Sequence, residues 1–106
     1  MAYFYQVSFT IRPEQMNELQ IGASLERVLG YLRTLLPGQT GFIEARALYS
    51  VDQPEQTYVV CISEWERWEH LVQHRTSALA EDKVLVEFAP HIAREDLIVR
   101  IYSEVA

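Results

Sequence analysis

Three observations predict an α+β fold built on one four-stranded antiparallel sheet. Strand-like and helix-like patterns follow one another in the order β-α-β-β-α-α-β. The two middle strands are separated only by the turn Asp52-Gln53-Pro54-Glu55, which is short enough for a hairpin and too short for a crossover. The third strand is apolar on both faces, so a sheet containing it must be covered from both sides.

Tyr3 to Ile11 alternates, with Tyr3, Tyr5, Val7, Phe9 and Ile11 on one face and Phe4, Gln6, Ser8 and Thr10 on the other. Arg12-Pro13 ends this strand, and Pro13 suits the first turn of a helix. Met16, Leu19, Ala23, Leu25, Val28, Leu29, Leu32 and Leu36 then mark a long amphipathic helix. Gly22 is a candidate kink, with Ser24 capping a second segment, and Leu36-Pro37-Gly38 stops the helix.

A second strand is expected over Gln39 to Ser50, with Phe42, Glu44, Arg46 and Leu48 on one face and Ile43, Ala45, Ala47 and Tyr49 on the other. The third runs from Thr57 to Trp65. After it the period changes to three and four, through Trp68, Leu71, Val72 and Arg75. Ser63 and Glu66 have capping-box spacing, which starts this helix at Glu66 and carries it to about His74, with Trp68 in the core. Thr76-Ser77 offers a fresh cap for a helix over Ala78 to Ala89, stopped by Pro90, and Glu95 to Val105 is the last strand.

This order is the split β-α-β, ferredoxin-like arrangement, with helices on one face of the sheet. In a lone protomer the other face is bare, yet it carries large apolar side chains. A second copy, sheet against sheet, closes a dimeric α+β barrel through a self-complementary interface.

With 106 residues the chain is one domain spanning 1–106, and it buries only about 60–70% of its unfolded surface, which leaves it open to support from a partner subunit. The net charge of −6 argues against nucleic acid and anionic membrane surfaces as partners. No apolar run approaches the roughly 20 residues that span a bilayer. The start, Met1-Ala2-Tyr3-Phe4, lacks a basic leader, and the single cysteine, Cys61, sits mid-strand as an inert core thiol. These features are those expected of a cytoplasmic protein.

Gly41-Phe42, Glu64-Trp65 and His74 give the chain a resemblance to the antibiotic biosynthesis monooxygenase (ABM) family of dimeric α+β barrels. The shared pieces are a Pro-Gly turn, a Gly-Phe strand, an Asp/Pro turn, a strand closing in Glu-Trp, and a short helix ending in histidine. The resemblance covers essentially the whole chain. It implies a homodimer with a pocket in each subunit and an activity on small aromatic or quinol-type compounds that needs no cofactor and no metal. Trp65 and His74 match the family's tryptophan and histidine, while a second histidine found in many members is Leu79 here. Positions used by the haem-degrading branch hold Val7, His74 and Val84, which argues against haem degradation.

His74 is thus a candidate general base, against the plainer reading of a helix-end histidine favoured by the dipole. His70 lies one turn earlier and shares its face, but no third metal ligand is evident. Trp65 is a candidate for orienting a bound oxygen or aromatic ring, against a core role. Arg46, and likewise Arg100, is a candidate anion-stabilising donor, against an ion pair across the open face or the dimer seam, with Glu44 and Glu104 as the local acids. Tyr49, Tyr58 and Tyr5 are candidates for the walls of a substrate pocket, against ordinary strand packing. The leading function is a small cofactor-independent oxygenase, and the alternative is a non-catalytic ligand-binding or structural barrel. An isomerase or lyase on the same fold is a third reading. An enclosed volume of roughly 300 Å³ or more against His74 or Trp65 favours an enzyme or binder, and a filled interior favours the structural reading.

Overall fold

The alternation of Tyr3–Ile11 becomes the inner strand β1 in the computed structural model, which describes residues 1–105. The remaining strands are β2 (Phe42–Tyr49), β3 (Thr57–Trp65) and β4 (Ile98–Ser103). They form one antiparallel sheet in the order β2-β3-β1-β4. Tyr5 lies opposite Ser63 on β3 and Ile101 on β4, and Val7 lies opposite Cys61 and Val99. Opposed residues share a face, so this register gathers Tyr5, Val7, Phe9, Val59, Cys61 and Trp65 on one side, all buried. The sheet is open at both edges.

Helix α1 (Glu18–Leu35) lays Ile21, Leu25, Val28 and Leu32 on that side. Helices α2 (Trp68–Ser77) and α3 (Leu79–Phe88) add Leu71 and His74, then Ala80, Val84 and Phe88. Phe9 and Phe88 meet edge to face at 4.8 Å, tying α3 to β1. Short 3₁₀ turns at Leu36–Gly38 and Arg94–Asp96 connect α1 to β2 and α3 to β4. This is the ferredoxin-like α+β arrangement that the order of the elements predicts.

Several local expectations are corrected. Residues 13–15 form a turn, held by Gln15 N–H donating to the Arg12 carbonyl at 2.9 Å, and α1 starts only at Glu18. Asn17 is its cap: its side-chain oxygen accepts from the Gln20 N–H, and the Gln20 side-chain oxygen accepts from the Asn17 N–H, each at 2.9 Å. This start puts Ile21 inward and leaves Leu19 87% exposed. Gly22 makes no break, and Ser24 lies buried within the helix, accepting from Arg27 at 3.1 Å.

The second strand begins at Phe42, because Leu36–Gly38 is taken up by the 3₁₀ turn. An irregularity in register between Phe42 and Glu44 inserts one unpaired residue. It puts Phe42 on the helix-covered side, 5.6 Å edge-to-face from Trp65, and not with Leu48 as simple alternation requires.

Ser63 does not cap α2. It stays in β3 and accepts from Trp65 Nε1 at 2.8 Å, while α2 starts at Trp68 after Arg67, with no side-chain cap. Trp68 is 46% exposed and touches Tyr3 edge-on, so it is not a core residue. Helix α2 runs past His74 to Ser77, so Thr76-Ser77 does not cap the next helix, and the break falls at Ala78, which adopts left-handed backbone, φ 53° and ψ 21°. Ser77 supports the corner, its hydroxyl donating to the His74 carbonyl at 2.5 Å.

Gly41 is fixed by two demands. Its φ of +83° lies in the region glycine alone enters freely, and a Cβ there would sit 1.9 Å from His70 Nδ1. Its carbonyl accepts from the Glu66 N–H at 2.8 Å, so the start of β2, the end of β3 and α2 converge on this one residue.

Candidate functional site

Three inward-facing positions on three elements meet around one imidazole. The pleat of β1 turns Tyr5 inward, the pleat of β3 turns Trp65 inward, and the last turns of α2 carry His74 onto both. The Trp65 and His74 rings are stacked, 4.5 Å apart with 23° between their planes. Tyr5 meets the same imidazole edge-on at 5.0 Å and 86°. His74 is 1% exposed and Trp65 is fully buried.

Each polar atom of this cluster has a definite fate. His74 Nδ1 lies 3.1 Å from Gln39 Oε1, a carbonyl oxygen that accepts, so Nδ1 carries the proton and Nε2 presents its lone pair. Nε2 has no hydrogen-bond partner among the described residues. Burial pulls His74 down to about 4, so it is neutral at physiological pH. The Tyr5 hydroxyl donates to Glu81 Oε1 of α3, while Glu81 Oε2 is buried without a partner among the described residues. Burial first, then this hydrogen bond and the Glu81 charge, raise Tyr5 well above its ordinary range, so it stays a phenol. Cys61, beneath the cluster on β3, is pushed up to about 12 by burial, which leaves its thiol unreactive.

The structure therefore brings together His74, Trp65 and Tyr5 of the residues singled out from the sequence. It does not bring Arg46, Tyr49 or Tyr58 to them. Arg46 lies on the opposite face of the sheet, across from Ile62, and binds Glu44 at 2.7 Å in a largely exposed ion pair. Tyr58 is also on that opposite face, paired with Thr10, and takes a hydrogen bond from Gln56 at 2.5 Å. Tyr49 shares the helix-covered face but sits at the far end of β2 near Gly22 of α1. His70 turns away from His74 toward Gly41, and among the described residues no three His, Cys, Asp or Glu side chains converge as metal ligands.

Gln39 and Glu81 are the members of the cluster that sequence reasoning misses. Glu81 directly follows Ala80 at the edge of the inward stripe of α3, and that placement is the available signal. A narrow void lined by Tyr5, Leu32, Leu36, Cys61, Ser63 and Ala80 adjoins the cluster, too tight for a water molecule. The larger cavities, of about 260–410 Å³, lie elsewhere and none is lined by His74 or Trp65.

No protein-family model matches the chain, and no curated protein does. Solved structures do. The chain is similar to a point mutant of SnoaB, a cofactor-independent oxygenase from Streptomyces nogalater, with 13% identity, TM-score 0.64, and coverage of 99% of this chain and 94% of that one. It is similar to a proposed antibiotic biosynthesis monooxygenase from Bacillus cereus at 20% identity and TM-score 0.66, covering 99% and 98%. A dimeric protein of unknown function and ferredoxin-like fold from Bacteroides fragilis matches at 10% identity and TM-score 0.67, covering 97% and 96%. No helix among the described residues is long and apolar enough to cross a membrane. Over nearly its whole length, then, the chain has the ferredoxin-like α+β fold found in solved structures named as proposed antibiotic biosynthesis monooxygenases, the family that its Gly-Phe, Glu-Trp and His pattern resembles.

Proposed function

We propose that this protein is a cofactor-independent monooxygenase of the ABM type, acting as a homodimer on a small aromatic or quinol-type substrate. The observation that carries the reading is His74 itself: a buried, neutral imidazole, held by Gln39 and stacked on Trp65, whose Nε2 lone pair has no partner among the described residues. Such a group accepts a proton from an acidic C–H or O–H of an anthrone- or hydroquinone-like compound. Burial disfavours a lone imidazolium, but the substrate anion formed beside it offsets that penalty as an ion pair.

For an anthrone the steps balance without a cofactor. The ring CH₂ loses a proton to Nε2, and the resulting anion passes one electron to dioxygen. The substrate radical and superoxide combine at carbon, and the peroxide takes back the proton. Loss of water then leaves a carbonyl, with one oxygen atom in the product and the other in water. Trp65 offers a flat face for the substrate ring, and Tyr5 a neutral edge. Access requires α2 or α3 to shift, and the left-handed corner at Ala78 between them is the place where the backbone can yield.

The filled space around His74 favours a second reading, a non-catalytic barrel in which the cluster is packing. Oxygen uptake with a panel of hydroquinones and anthrones separates the two. Substrate-dependent uptake, reduced about 10²- to 10⁴-fold in His74→Ala and less in Trp65→Phe, supports the enzyme. Uptake at background with every compound supports the second reading.

A further inference from the structure

The open face of the sheet carries Leu48, Tyr58, Ile98 and Tyr102, each exposed, with Phe4, Val60 and Ile62 half-buried among them. Among the described strand residues on this face, four are charged. Strand register sets them in two neighbouring rows: Glu44 and Glu64 in the row that continues to Phe4 and Tyr102, and Arg46 and Arg100 in the row that contains Ile62 and Gln6.

Their pairing is unequal. Arg46 binds Glu44 at 2.7 Å on its own strand. Glu64 lies directly opposite Glu44, a repulsive cross-strand arrangement, and forms no ion pair among the described residues. Arg100 is two strands away on β4, with β1 between them, and it too forms none there. Among these strand residues one acid and one base are left unpaired. That is the smallest charge set that is its own complement under a two-fold, because each copy then offers a partner for the other's residue. Buried against a second copy, either charge alone would carry a heavy desolvation penalty.

From this pattern we infer that the second copy is seated with Glu64 of each protomer against Arg100 of the partner subunit, and that these two symmetric ion pairs fix the register of the sheet-on-sheet interface. The inference rests on the homodimer proposed above and adds which residues select the partner. A groove of about 330 Å³ on this face, walled by Phe4, Leu48, Ile62, Glu64 and the Glu44–Arg46 pair, gives the incoming arginine a place to enter.

Sedimentation of the full chain across a concentration series tests it. Glu64→Arg and Arg100→Glu should each weaken self-association by roughly 30-fold or more, and the double variant should return to within about 5-fold of the parent. Glu64→Arg places opposite charges across from each other on β2 and β3, so the protomer keeps its fold, which circular dichroism verifies. Glu64→Gln and Arg100→Gln, which add no repulsion, should weaken association more mildly. A parent that dimerises while the double variant stays as weak as the singles overturns the register and leaves the dimer standing. Single variants that associate like the parent do the same. A parent that remains monomeric at micromolar concentration removes the dimer and the pairing together.

Discussion

The two faces of this one sheet are built from the same four strands and have opposite fates. On the helix-covered face Val7, Val59, Trp65 and their neighbours are almost wholly buried within the protomer. On the other face Leu48 is 55% exposed and Ile98 47%. Both faces are largely apolar, so hydrophobicity alone does not separate them. The difference lies in where the charges stand. The strands of the covered face turn only neutral polar groups inward, Tyr5 and Ser63 among them, whereas the open face keeps two acids and two bases among its apolar residues. One face is finished by the chain's own helices, and no element among the described residues covers the other.

The largest expected contrast is in stability. Phe9→Ala on the covered face should cost about 3–5 kcal/mol in chemical denaturation of the protomer, since it removes a buried ring packed on Phe88. Leu48→Ala on the open face should change protomer stability by less than about 1 kcal/mol and act on self-association instead. Equal losses in the two variants would break the contrast.

The next contrast is in pH dependence. His74 titrates near 6.5 when unfolded and near 4 when folded. Between these values the unfolded chain binds the extra proton, so stability present above pH 6.5 is lost as pH falls toward 4, by up to about 3 kcal/mol. His74→Leu should flatten the stability curve in that window relative to the parent. Parallel curves would mean that the imidazole is not held neutral by the fold. The smallest effect is at the corner above this cluster. Ala78→Gly relieves left-handed strain at φ 53° and should stabilise the protomer by about 0.5–1 kcal/mol, read as a raised midpoint of thermal unfolding.

The covered face is legible in the sequence because its signal is local. Tyr5, Val7, Phe9 and Ile11 alternate without interruption, and Tyr58 to Ile62 is a continuous β-branched and aromatic run, so local pattern marks both strands. The order of elements then implies the topology. At β2 the same rule fails, since a single unpaired residue between Phe42 and Glu44 reverses the alternation and leaves no mark in composition. The start of α1 escapes for a different reason: Pro13 and Asn17 are both plausible starts, and only the reciprocal bonds between Asn17 and Gln20 decide between them.

The site is half legible. Trp65 and His74 stand out through a family pattern, and the structure stacks them. Gln39 is 35 positions from His74, and Glu81 is 76 from Tyr5. No periodicity connects residues so far apart, and their partnership exists only once α1 and the sheet have folded between them. Arg46 and His74 are both polar candidates in the sequence, but the sheet stands between them.

The contact at Gly41 has a consequence for the imidazole one helical turn away. Helix α2 rests there against bare backbone, with His70 lying where any other residue's first carbon would be. A methyl group at that point would lever the helix outward, and His74 rides on the same rigid rod. The aim of the imidazole is therefore set, at a distance, by a residue that has no side chain to give.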